Sequence, residues 1–183
     1  MNPGAREAVV VRRLVKAQQV PSGEWYRLEP GLEGWLTQAL GSSYTVLADG
    51  LLWRIDGSDG DAIGMPIRSA APRQAEPSDE ELQRWVWEEL GEIYDPEIPC
   101  SIVELGLVYR CDLRRQDDGR FELRVEMTLT APGCGMGRQL ADEVAERLLA
   151  LPRVARAEVD VVFDPPWDRS MMSEAARLSL GLL

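Results

Sequence analysis

The chain has 183 residues, 45% hydrophobic and 28% charged, enough for one medium or two small globular domains with a real core. Its formal net charge of -11 argues against nucleic acid as a partner, because phosphate binding draws on clustered Lys and Arg. No stretch approaches the roughly 20 apolar residues that cross a bilayer, and Val9 to Val11 is too short for a signal segment, so a cytoplasmic protein without a membrane span is expected.

Glycines at 23, 31, 34, 41, 50, 57, 60 and 64 punctuate stretches such as SYTVLAD (43–49) and LLWRIDG (51–57). That pattern predicts short strands joined by turns, a small β-rich domain over 1–68. Its acidic turn DGSDGDAIG (56–64) brings Asp56, Asp59 and Asp61 together, but the spacing departs from that of a calcium loop, and a solvated turn is expected. Prolines and small polar residues then mark a linker at 69–77.

Ser78 and Glu81 have capping-box spacing, and Leu82, Trp85, Val86, Leu90 and Ile93 recur at helical intervals, which predicts a helix reaching about Tyr94. Leu107, Tyr109, Cys111 and Leu113 alternate, QDDG (116–119) turns, and Phe121, Leu123, Val125, Met127 and Leu129 alternate again, as in a hairpin. Gly135 to Leu151 puts Leu140, Val144 and Leu148 on one helix face. Ala157, Val159, Val161 and Phe163 read as a third strand ended by DPPW, and SEAARLSLGLL as a short last helix. The order αββαβα predicts an α/β (α+β) domain over 78–183 with a small mixed three-stranded sheet. Its second and third strands run parallel through a right-handed crossover, with helices on at least one face.

The chain has no histidine, and Lys16 is its only lysine. Ser-His and Cys-His catalysis and imidazole metal ligands are excluded within it. Cys100, Cys111 and Cys134 are odd in number and without CxxC spacing, so neither a disulfide framework nor a zinc ribbon is suggested, and one chain cannot supply four thiolates. Within TAPGCGMG (130–137), Cys134 falls at the carboxyl end of the second predicted strand, before the crossover helix, where binding sites in α/β sheets commonly form. Backbone N–H groups and the helix dipole stabilise a thiolate there, making it a candidate nucleophile or metal ligand. Gly133 and Gly135 allow close backbone approach and Pro132 stiffens the entry. A turn whose glycines serve geometry and whose cysteine is incidental accounts for the same residues, and both readings stay open at this point. Cys100, after the rigid DPEIP (95–99), is a candidate second thiol near Cys134. Asp95 and Glu97 are candidate oxygen ligands or bases, with a turn-capping role for Asp95 the favoured reading. Cys111 is expected to pack in the core, and Trp167 over the end of the third strand.

DPEIPCSIVELGLVY (95–109), MTLTAPGCGMG (127–137) and VDVVFDPPWDRSMMSEAARLSLGL (159–182) resemble the SufT-type iron-sulfur assembly proteins, which share the metal-sulfur cluster biosynthesis domain with phenylacetate-oxygenase accessory proteins. The resemblance covers nearly everything from about residue 78, and residues 40–64 look like the N-terminal extension of the SufT branch. It implies an assembly or transfer factor in the maturation of iron-sulfur proteins, a carrier or adaptor rather than a catalyst. The family's reactive cysteine falls on Cys134, with Asp95, Glu97, Thr130, Pro132 and Gly133 in the site loops. The implied partners are an iron-sulfur scaffold complex, a cysteine desulfurase and apo client proteins, with a possible homodimer. No cofactor is expected to be bound permanently. A transient iron-sulfur cluster or iron would be shared between Cys134 and a partner's ligand, with Cys100 a further candidate ligand. Two positions depart from the family pattern: Gly135 stands where proline is usual, and Cys100 where an aliphatic residue is usual. The alternatives are an interaction module that holds scaffold or client proteins with Cys134 structural, and a thiol transferase.

Overall fold

The alternation at 43–57 becomes a hairpin in the computed structural model, which describes residues 7–68, 76–95, 97–131 and 137–182. Asp49 and Gly50 take consecutive positive φ values of 51° and 77°, the two-residue turn whose twist matches that of its strands. The hairpin is the centre of one of two compact units, formed by residues 7–68 with 97–99; the second holds the rest of the described chain.

The first unit is a six-stranded sheet of β1 (Glu7–Val10), β2 (Val15–Val20), β3 (Trp25–Leu28), β4 (Glu33–Leu40), β5 (Ser43–Ala48) and β6 (Leu51–Asp56). The spatial order is β1-β4-β5-β6-β2-β3, with antiparallel pairing throughout. Val15, Ala17, Tyr44, Val46, Trp53 and Ile55 belong to its core. The acidic turn is a 3-10 turn over Gly57–Ile63. It is not simply solvated: the Arg13 guanidinium reaches Asp59 at 2.8 Å and Asp61 at 2.6 Å. That hydrogen bonding holds the Asp61 carboxyl below the usual carboxylate range. A cation from 46 and 48 residues away occupies the carboxylates whose spacing superficially suggested calcium.

The second unit opens with α1 (Asp79–Gly91), and the predicted capping box is complete. Glu81 N–H donates to Ser78 Oγ at 3.2 Å, and Ser78 N–H donates to the Glu81 carboxylate at 2.8 Å. Then follow β7 (Val108–Arg115), β8 (Phe121–Met127), α2 (Gly137–Leu149), β9 (Val154–Val161) and α3 (Glu174–Ser179). The sheet order is β7-β8-β9, antiparallel then parallel, as the order of predicted elements requires. The third strand begins three residues before Ala157 and stops two before Phe163. β8 ends at Met127, whose carbonyl accepts the last bond, from Val162 N–H at 2.8 Å, and Phe163 beyond it is exposed.

Leu82, Val86, Leu90, Leu123, Val144 and Leu148 are fully buried, from the inward faces of α1, α2 and β8. Arg147 of α2 reaches Glu89 of α1 at 2.6 Å, with both side chains largely buried, a charge-assisted tie between the two helices. Alternate strand positions carry charges instead. Arg110 pairs with Asp112 at 2.6 Å, Arg124 with Asp160 at 2.9 Å, and Arg156 with Glu158. No helix among the described residues is long and apolar enough to cross a membrane.

Candidate functional site

Thr128 to Ala131 carry the chain on from the carboxyl edge of the parallel pair. Thr128 N–H donates to the Leu107 carbonyl at 2.8 Å, tying this edge to the start of β7. The Thr128 hydroxyl, on a residue 1% exposed, has no hydrogen-bond partner among the described residues. Thr130 is half-buried and Ala131 exposed. Gly137 opens α2, and a Cβ there would overlap Leu129 Cδ1, so glycine is what lets Leu129 lie against the first turn. Pro132, Gly133 and Cys134, three of the expected site residues, fall in 132–136, outside the described residues, as does Gly135.

The helix that follows this connection differs from the other two. α1 has Asp79, Glu80 and Glu81 in its first turn and α3 has Glu174, whereas α2 has no acidic residue there. The positive end of its dipole is therefore not answered by a carboxylate of its own first turn, which favours an anion from elsewhere.

The acidic loop is closed at its base. Tyr94 and Ser101 form an isolated antiparallel bridge, Asp95 N–H donates to the Cys100 carbonyl at 3.1 Å, and Ile102 N–H donates to Ile93 at 2.9 Å. Asp95 is buried and Glu97 exposed. Sequence reasoning passed over Ser101 and Glu104, whose S-x-x-E spacing repeats that of Ser78 and Glu81. Ser101 N–H donates to the Glu104 carboxylate at 3.1 Å, and Glu104 N–H to Ser101 Oγ at 3.2 Å, a second reciprocal cap that shapes the turn into Gly106. Gly106 has φ of 71°, and a Cβ there would overlap the Met171 carbonyl oxygen. The Trp167 indole, expected over the end of the third strand, donates to the Leu105 carbonyl of this turn at 2.8 Å, and Tyr109 Oη donates to Pro165 at 2.8 Å. The segment after β9 is thus fastened over the turn at 105–106.

Cys100 is 2% exposed, with Sγ 3.9 Å from Ser179 Oγ of α3. Burial pushes its pKa up, only partly opposed by the hydrogen bond to Ser179. Cys111 is half-buried on β7, and burial pushes its thiol up to about 11. Both are held as thiols near neutral pH, and the thiolate is the form that ligates metal or attacks. No cluster of three Asp, Glu or Cys side chains suited to a metal exists among the described residues.

The mixed three-stranded sheet and its helices define an α+β domain. Residues 83–161 match the family described as iron-sulfur cluster assembly protein. A relative from Staphylococcus aureus (strain USA300), the Fe-S protein maturation auxiliary factor SufT, is 42% identical over 90 residues, 49% of this chain and 98% of its own length. The Fe-S protein maturation auxiliary factor YitW of Bacillus subtilis (strain 168) is 39% identical over 104 residues, 57% of this chain and 98% of that relative. A solved domain of unknown function from Bacillus anthracis is 34% identical, covering 57% of this chain and 95% of its own, with a TM-score of 0.48. The chain belongs to the iron-sulfur cluster assembly protein family, in its SufT-type branch. Since 90 residues are 98% of the staphylococcal SufT, that relative has no room for a counterpart of the six-stranded unit, and an extension of this kind does not mark the whole branch.

Proposed function

We propose that this protein is a maturation factor for iron-sulfur proteins that handles iron or a transient cluster through Cys134, in a domain spanning 78–183 after a linker at 69–77. The observation that carries this reading is the burial of the other two thiols. Burial holds Cys100 and Cys111 protonated, so neither is the ready ligand, and Cys134 is the remaining one. The maturation role itself rests on the relatives' names. The lack of a carboxylate in the first turn of α2 and a Thr128 hydroxyl without a partner among the described residues support an anionic group at the same connection. Asp95, Glu97, Thr130, Pro132 and Gly133 are the loop residues that the family resemblance assigns to the site. With no histidine and three cysteines, the chain completes a ligand set only with a partner, either a second copy or an apo client. Iron and sulfide arrive from a scaffold complex and a cysteine desulfurase, and a site completed by a partner releases its cargo when the partner changes. The protein acts as an auxiliary factor in the cytoplasm, not as an enzyme.

Anaerobic reconstitution with iron and sulfide, followed by visible absorbance and client activation, tests this. The unmodified protein and Cys100→Ser are expected to behave alike, and Cys134→Ser to lose both signals. A Cys134→Ser protein that activates clients normally would show the thiol to be structural and the chain an interaction module.

A further inference from the structure

The outer edge of β3 combines three features that the maturation role leaves unused. β3 is the last strand of the six-stranded sheet and, among the described residues, pairs only with β2. Gln19 N–H donates to the Glu24 carbonyl at 2.9 Å. In antiparallel alternation the next bonded pair is then Ala17 with Tyr26, which turns the N–H and C=O groups of Trp25 and Arg27 away from β2. An open row of backbone groups is a template for another strand.

The side chains beside that row are equally unusual. Lys16 and Arg27 stand directly opposite each other, in a pair that the same alternation makes non-hydrogen-bonded, with Cα atoms about 4.5 Å apart. Like charges so placed repel, yet in a chain of net charge -11 neither has a carboxylate partner among the described residues. The nearby Glu24 does not serve, since its carboxylate accepts from Tyr26 Oη at 2.8 Å. Trp25, 63% exposed, shares the outward face with Arg27. Lys16, Trp25, Tyr26 and Arg27 line a hollow of about 280 Å³.

We propose that β3 is a strand-addition site for an extended acidic segment of a partner protein. The partner's backbone pairs with Trp25 and Arg27, a carboxylate settles between Lys16 and Arg27 and relieves their repulsion, and an apolar side chain covers Trp25. Main-chain bonds give such a site its affinity and the alternate side chains its selectivity. The proposal does not depend on Cys134.

The test uses the full chain and a capped eight-residue peptide, Thr-Glu-Thr-Val-Thr-Glu-Thr-Val, whose glutamates and valines alternate two residues apart along one face. Controls are the same peptide with lysine for glutamate, one with alternate backbone nitrogens methylated, and inorganic tripolyphosphate. The glutamate peptide is expected to bind at least about tenfold more tightly than the lysine peptide and to shift the amide resonances of Trp25 and Arg27. The methylated peptide is expected to lose binding. The double variant Lys16→Glu, Arg27→Glu is expected to prefer the lysine peptide, an inversion that an unfolded protein could not give, and Trp25→Ala to weaken binding without changing the preference. Absence of binding at millimolar peptide, equal binding of both peptides, undiminished binding of the methylated one, or capture of tripolyphosphate alone would each overturn the proposal.

Discussion

All strand pairings in the six-stranded unit are antiparallel, whereas the second unit contains the parallel pair β8 and β9, and the chain must cross the sheet through α2 to make it. An antiparallel sheet can return by tight turns, as at Asp49 and Gly50. A parallel pair needs a crossover that begins at the carboxyl edge of one strand and enters a helix whose first N–H groups are unpaired. The connection whose sequence carries Cys134 therefore belongs with the second unit, while the first offers what an open sheet offers, an edge strand with side chains displayed along it.

The largest test of this contrast is in the second core. Leu123, fully buried at the centre of β8, is expected to cost about 2–5 kcal/mol as Leu123→Ala, read from the denaturant midpoint. A matching Ile55→Val in the first unit, which removes one methylene from a fully buried site, is expected to cost only about 1 kcal/mol.

Two glycines with similar backbone but different surroundings come next. Gly106 and Gly50 have φ of 71° and 77°, but only Gly106 faces a backbone oxygen where a Cβ would stand. Gly50→Ala is expected to cost about 1 kcal/mol for the left-handed backbone alone, and Gly106→Ala about 2–3 kcal/mol. Equal losses in thermal or urea unfolding would mean that the segment at Met171 yields without cost.

Alkaline titration separates the thiols. Cys111 has its folded pKa raised above 9.0 to about 11. Its contribution is thus complete below the unfolded value and is lost as pH rises through the folded one. Stability is expected to fall between about pH 9 and pH 11 by on the order of 2 kcal/mol. In Cys111→Val the difference in urea midpoint between pH 8 and pH 10.5 should shrink, and an unchanged difference would place the alkaline loss on other groups.

Smaller effects belong to the helix start and the charged strand positions. Ser78→Ala removes the cap of α1 and is expected to cost about 1 kcal/mol. Arg156→Ala breaks only exposed pairs with Glu122 and Glu158, and a loss above about 1 kcal/mol would show those charges to act as a network.

Legibility differed between the two units for physical reasons. In the second, amphipathic periods are clean, and α1 with its cap, the β7–β8 hairpin and the parallel β8–β9 pair follow from them. In the first, only the strands at 43–49 and 51–57 stand out. β2 reads VKAQQV because Gln18, 2% exposed, satisfies its amide by donating to the Gly23 carbonyl, so a polar residue takes a buried place. β4 is interrupted by Gly34 and by a register shift between Leu36 and Gln38. At the site, the strand face of Cys111 led to an expected place in the core, but the residue is only half-buried on β7. The burial of Cys100 was not readable, because it depends on α3, 79 residues further on.

The sequence alone determined the order of elements in the second unit, the scarcity of ligands and the motifs of an iron-sulfur assembly family, because periodicity, composition and spacing are local properties of the chain. Only the tertiary structure decided which thiols are silenced, which carboxylates are answered by Arg13, and which cations at β3 are left without a carboxylate partner among the described residues. Desolvation and ion pairing depend on what is close in space, and each of those neighbours comes from a different part of the chain.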